Sequence, residues 1–157
     1  MDHLSVLLDL KLLRSIVAGA SNRTGVWKRR LWLGRLTQLV HDTCVENESI
    51  FLNSLPGNEA FLRLLRSGYF EVFDVFVVPE LHLDTPGRVV AALALLVFIL
   101  NDLDANSASS GFDSGFLVDR LCVPLWLKAR AFKITQSSRS TSQPSSSPDK
   151  TTQTTSQ

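Results

Sequence analysis

The chain has 157 residues and a mass of 17.4 kDa, a length that suits one domain or at most two. Its 16 basic and 15 acidic residues nearly cancel to +1, which excludes a nucleic-acid binder that works through gross positive charge. Apolar residues at 45% exclude a collagen-like or wholly disordered chain, and two cysteines do not make a disulfide framework.

The average conceals a division. Residues 135–157 read TQSSRSTSQPSSSPDKTTQTTSQ and contain no apolar residue. The body, residues 1–134, is therefore about 52% apolar, above the usual range for a globular domain. A body of that size buries roughly two-thirds of its unfolded surface. The tail has nothing to bury against an ordering cost of about 1–2 kcal/mol per residue. The expectation is one domain over 1–134 and a disordered Ser/Thr-rich tail over 135–157.

The N-terminus places acidic Asp2 and scattered charges among its apolar residues, unlike a secretory signal. An intracellular chain with free thiols at Cys44 and Cys122 follows. The glycosylation pattern at Asn22-Arg23-Thr24 is then an unused coincidence. Leu4, Leu7, Leu8, Leu12 and Ile16 fall at helical spacing, with Asp2 as N-cap. GASNRTG, residues 19–25, ends that helix. A second helix is predicted from about Trp27 to Glu46. Pro56-Gly57-Asn58 marks a turn, Asn58 caps a helix through Arg66, and Gly68 ends it.

Residues 69–78, YFEVFDVFVV, favour a strand by propensity. The spacing of Phe70, Phe73, Phe76 and Val77 fits one helix face, and no partner strand is visible, so the segment is read as helix. Thr85 is a good N-cap and Pro86 suits the first helical position. Val89 to Leu100 are twelve consecutive apolar residues. Such a helix is either buried on all sides or a membrane span. Twelve residues give about 18 Å, against a hydrocarbon core of about 30 Å, so a central core helix is the better reading. A polar loop, NDLDANSASSGFDSG, leads to a last helix from about Ser114, which Pro124 should kink or split.

No catalytic or metal constellation appears. His3, His41 and His82 lack cysteine or histidine neighbours at ligand spacing. Gly111-Phe112-Asp113-Ser114-Gly115 has its serine one place too late for a nucleophile elbow, and a helix cap explains it better. Asp102, Asp104, Asn106 and Asp113 have calcium-loop spacing, but Ser107 stands where the loop needs glycine. Trp27-Lys28-Arg29-Arg30-Leu31-Trp32 reads as an amphipathic core helix, with contact to an anionic membrane as the main alternative.

The stretch Thr85-Pro86-Gly87-Arg88, opening the apolar helix that runs to Phe98-Ile99, resembles the adenovirus early-region small T antigens, viral apoptosis inhibitors of the Bcl-2-like family. Ser114-Gly115-Phe116-Leu117-Val118-Asp119 with Leu125-Trp126, and Ser21-Asn22-Arg23-Thr24 with Trp27, Arg30, Leu31 and Trp32, are similar to two further segments of that family. The resemblance implies an all-α, Bcl-2-like helical bundle around the central helix. It implies a groove that takes the amphipathic helices of host Bax-like and Bak-like proteins, with apolar anchors at i, i+3, i+4 and i+7. By position, Gly87 allows close approach and Arg88 binds a partner aspartate, a task suited to the guanidinium fork. Thr85 stands in place of an asparagine of the cellular relatives, Val90, Ala91 and Leu95 line the groove floor, and Gly115 and Phe116 match a glycine–tryptophan pair.

Departures are Pro86 in place of a tryptophan and Ser114 in place of a glycine. Leu64 and Gly68 sit at death-agonist spacing, but Tyr69 stands where an aspartate belongs. The implied activity is non-enzymatic inhibition of host apoptosis, without cofactor or nucleic acid, in the cytoplasm and at host membranes including the nuclear envelope. The alternative is a membrane-associating helical protein that acts directly on host membranes.

Overall fold

The structure, a computed structural model, describes residues 3–25, 28, 34–106 and 111–141. All regular elements among them are helical, and no strand occurs there. The elements are α1 (His3–Leu8), α2 (Leu10–Ala20), α3 (Arg35–Glu46), α4 (Glu48–Ser54), α5 (Glu59–Arg66), α6 (Pro86–Ala105) and α7 (Ser114–Thr141). A π turn (Phe73–Val77) and a 3₁₀ turn (Val78–Glu80) lie between α5 and α6. The ambiguous segment 69–78 is thus helical where it is regular.

The first predicted helix is two. Asp9 takes an extended conformation, and its Oδ1 accepts a hydrogen bond from Leu12 N at 3.2 Å. A side-chain cap inside an unbroken apolar pattern divides the helix without moving its buried face. Val6 and Leu7 on α1 join Leu13, Ile16 and Val17 on α2 in one core. The proposed cap Asp2 lies outside the described residues, as do Trp27, Arg29, Arg30, Leu31 and Trp32 of the basic segment.

Helix α6 is the axis of the bundle. Thr85 Oγ1 accepts from Arg88 N at 3.2 Å, and Pro86 occupies the first turn, where its missing N–H costs nothing. Elements α1, α2, α3, α4, α5 and α7 all pack on it. Leu93, Leu96, Val97, Ile99 and Leu100 are fully buried. Each contributes about 1.5–3 kcal/mol by leaving water. The helix also continues past the apolar run through Asn101–Ala105, residues the sequence assigns to a loop. Its polar end is clasped by arginines. Arg23 donates from Nε and Nη2 to both carboxylate oxygens of Asp104, and Asn22 N donates to Asn101 Oδ1 at 2.8 Å. Arg66 forks onto Asp102 and reaches Glu59. Asp102 and Asp104 of the apparent calcium loop are thus engaged by cations of this chain.

Helix α7 runs unbroken through Pro124, so the expected split does not occur. A proline inside a helix costs roughly 3 kcal/mol. Leu117, Leu121, Cys122, Leu125 and Ala129 are buried on both sides of it, which outweighs that cost. The helix also extends seven residues past the predicted domain boundary, through residues 135–141. Hydroxyls sustain these exposed turns: Thr135 Oγ1 donates to Ala131 O and Ser138 Oγ to Ile134 O, each at 3.0 Å. Residues 142–157 lie outside the described residues.

Candidate functional site

An all-round apolar helix wrapped by neighbours should leave no apolar residue in water, yet α6 does. Arg88 and Ala91 are exposed, Leu95 keeps a sliver of surface, and Phe98 is half-buried. These positions follow one another at three- and four-residue spacing, so they form a single stripe along the helix. Arg88, Ala91 and Leu95 of this stripe lie on the floor of an apolar groove of about 410 Å³, within the size range of ligand sites.

One wall is α4 and the turn after it, with Ile50, Phe51, Leu55 and Pro56. Ile50 is 61% exposed, while Phe51 lies against Phe98 with ring centroids 6.0 Å apart. The turn is built by Gly57 and Asn58, both at positive φ. The other wall is the π and 3₁₀ segment, with Phe76, Val77, Glu80, Leu81 and His82. Phe76 is 55% exposed although the segment is tied to the core by Phe73 and Val77. Large apolar side chains left open on both walls of one trough make a contiguous apolar surface rather than scattered exposure.

Arg88 is the charge at the groove. Its Nη1 lies 2.9 Å from each carboxylate oxygen of Asp84, four residues earlier and ahead of the helix, and both side chains are about half exposed. The Arg88 hydrogen bond holds the Asp84 carboxyl below the usual carboxylate range. In the unliganded chain the arginine is therefore paired at home.

The candidate residues separate into several places. Arg88, Ala91 and Leu95 line the groove. Thr85 caps α6 and borders a smaller cavity of about 160 Å³ with Asp84, Pro86, Val89 and Phe132. Val90 is buried in the core, turned from the groove by helical geometry, since it lies on a face next to that of Ala91. Gly87 is exposed, and a Cβ built there would meet nothing within 4 Å, so its smallness is not required by packing inside this chain. Gly115 and Phe116 do not line the groove. Phe116 instead belongs to an aromatic cluster, 5.7 Å from Phe70 and 6.1 Å from Phe112.

The apolar groove residues missed by the sequence reading include Ile50, Phe51, Leu55, Phe76 and Leu81. Their only signal was apolar character in short segments. Among the described residues no group of three or more metal-ligating side chains is brought together, and no helix is long and apolar enough to cross a membrane.

A family model described as adenovirus E1B 19K protein / small t-antigen matches residues 1–137. The chain is similar to the E1B protein, small T-antigen, of human adenovirus F serotype 40, with 31% identity over 80% of this chain and 74% of that one. It is similar to the protein of the same name in simian adenovirus serotype 7, at 30% over 80% and 68%. The canine adenovirus serotype 2 protein of that name is 27% identical over 86% of this chain and 78% of its own. No solved structure matches the chain.

Proposed function

The chain belongs to the adenovirus E1B 19K / small t-antigen family, and from that premise we propose that it inhibits host apoptosis by capturing the amphipathic helices of Bax-like and Bak-like proteins. The protein acts by binding rather than by catalysis, needs no cofactor, and works in the cytoplasm and at host membranes including the nuclear envelope. The observation that carries this reading is the groove. An apolar trough of about 410 Å³ has exposed Ile50 and Phe76 on its walls and Arg88 at the start of its floor helix.

An amphipathic helix would lay its apolar side chains between the walls, as helix-in-groove partners do. A carboxylate on that helix would meet Arg88. Asp84 occupies only Nη1, so the Nε and Nη2 edge is left for a second, bidentate pair. Ala91 and the open space at Gly87 let the incoming backbone approach the floor.

Fluorescence polarisation with a labelled Bak-like or Bax-like helix tests this. The expected result is saturable binding that Arg88→Glu weakens strongly while the helical circular dichroism signal is kept. No binding to any such helix would overturn the reading. An Arg88→Glu chain that binds as well as the parent would remove the arginine from the site.

A further inference from the structure

The least regular part of the fold is the groove wall from Phe73 to Leu81. It is a π turn followed by a 3₁₀ turn, geometries that α-helical proteins use sparingly and often at functional places. Phe73 and Val77 anchor it in the core, while Val75 and Phe76 between them stay exposed. Its short non-α turns carry only two fully buried side chains, with Val78 and Leu81 partly buried against the core.

Two cations of α7 hold it from behind. Arg120 donates from Nη1 and Nη2 to the two oxygens of Asp74, at 2.8 and 2.6 Å. Eight residues later Lys128 Nζ donates to Val78 O at 2.6 Å and Pro79 O at 3.0 Å. The first clamp takes the π turn and the second takes the 3₁₀ turn, so the lining residues Phe76 and Val77 lie between them. Neither cation lines the groove. Burial pulls the Lys128 ammonium below its usual range, so this side chain accepts a desolvation cost in order to reach the two carbonyls. Asp74, through its hydrogen bond, shifts the Arg120 guanidinium further up.

We infer that Arg120 and Lys128 are positioning residues that set the width of the groove by clamping its wall to α7. Capture of an apolar helix then depends on two side chains that the helix never touches. This rests on the groove reading for its consequence in binding, but the width itself is measurable without any ligand.

The test labels Ser54→Cys and Glu80→Cys, one on each side of the groove, with nitroxides in the full chain. Cys44 and Cys122 are buried, so the labels go to the introduced positions. Electron–electron distance measurements should give one narrow distribution in the parent. Arg120→Gln and Lys128→Met should widen and lengthen it. The reversed pair Asp74→Arg with Arg120→Asp, and Lys128→Arg, should restore it. The single clamp variants should also lose about 3- to 30-fold in affinity for a labelled Bak-like helix, with melting temperatures that do not track the loss.

A distribution unchanged in both single variants would overturn the inference. So would a reversed pair that folds as the parent does but leaves the wall displaced. A parent that binds no helix, with clamp variants that still displace the wall, would remove the binding function and leave the clamps in place.

Discussion

Arg88 holds Asp84 through one nitrogen, with both carboxylate oxygens converging on Nη1. A fork-to-fork pair would have consumed two nitrogens and left fewer donors for a second anion. This arrangement tethers the arginine at the groove and leaves its other edge unused by the pair. The pair is exposed on both sides, so its own stabilising effect is small and screened by salt.

The shift of Asp84 has a defined sign. Its folded value is depressed, mainly by the Arg88 hydrogen bond. The pair therefore contributes at pH values above the ordinary aspartate range and is lost as pH falls through the lower folded value. Near neutral pH it is fully formed. Carbon-detected NMR titration of the Asp84 carboxyl should give a midpoint below that of an unperturbed aspartate. Arg88→Gln should return it toward the ordinary value of about 3.9. A midpoint that does not respond to Arg88→Gln would mean that the pair does not persist in solution.

Ala91 offers a substitution that separates binding from folding. It is exposed within a run of twelve apolar residues and forms part of the groove floor. Ala91→Phe should fill the trough and weaken capture of a labelled Bak-like helix by more than tenfold, about 1.4 kcal/mol or more. Stability should hardly change, because no buried neighbour is displaced. Leu96→Ala, fully buried on another face of the same helix, should do the reverse. It should cost about 2–5 kcal/mol in urea unfolding, with affinity retained where the chain stays folded.

The contrast between those two positions shows what was legible in the sequence. The length of the apolar run, the cap Thr85 and the first-turn Pro86 predict a central helix, and α6 is that helix. Its all-round greasiness, however, hides which stripe is uncovered, because Ala91 and Ala92 look alike until neighbours are placed. The groove walls were harder still. Helix α4 is seven residues long without a buried residue of its own, so it carries no clear amphipathic period. The π turn at Phe73–Val77 shifts the helical register, and its strand-like composition points elsewhere. The arginine clasps were also unreadable. Arg23 and Asp104 are separated by 81 residues, and only the fold brings them together.

Those clasps yield a stability prediction. Arg66 Nε donates to Asp102 Oδ2 at 2.8 Å, and Nη1 donates to Glu59 Oε1 at 2.8 Å. The Asp102 side chain is only 17% exposed, so it depends on this partner for much of its solvation. Arg66→Met keeps the alkyl stem but leaves the carboxylate unpaired, at a cost of about 1–3 kcal/mol. The guanidinium is shifted upward, mainly by the Asp102 hydrogen bond, so it stays charged at any working pH. The double variant with Asp102→Asn should recover part of the loss in urea unfolding. Equal losses for the single and the double variant would show that the two side chains are not coupled.

The two thiols report on whether the bundle opens. Burial pushes Cys44 up to about 11 and Cys122 up to about 12, with Glu48 and Asp119 adding smaller upward effects. Only the thiolate reacts with a disulfide reagent. Near pH 8 both thiols are therefore held protonated, and both sulfurs are also screened from solvent. Colorimetric titration with an aromatic disulfide should therefore find almost no reactive thiol in the folded chain and two after unfolding in urea. The order of exposure is informative as well. Cys44 lies on α3, and Cys122 lies on α7 next to Leu121, against the core that α6 fills. Thiols that become reactive at different urea concentrations would show that α3 and α7 open separately. Simultaneous release of both thiols at one urea concentration would instead show that the bundle unfolds as a single unit.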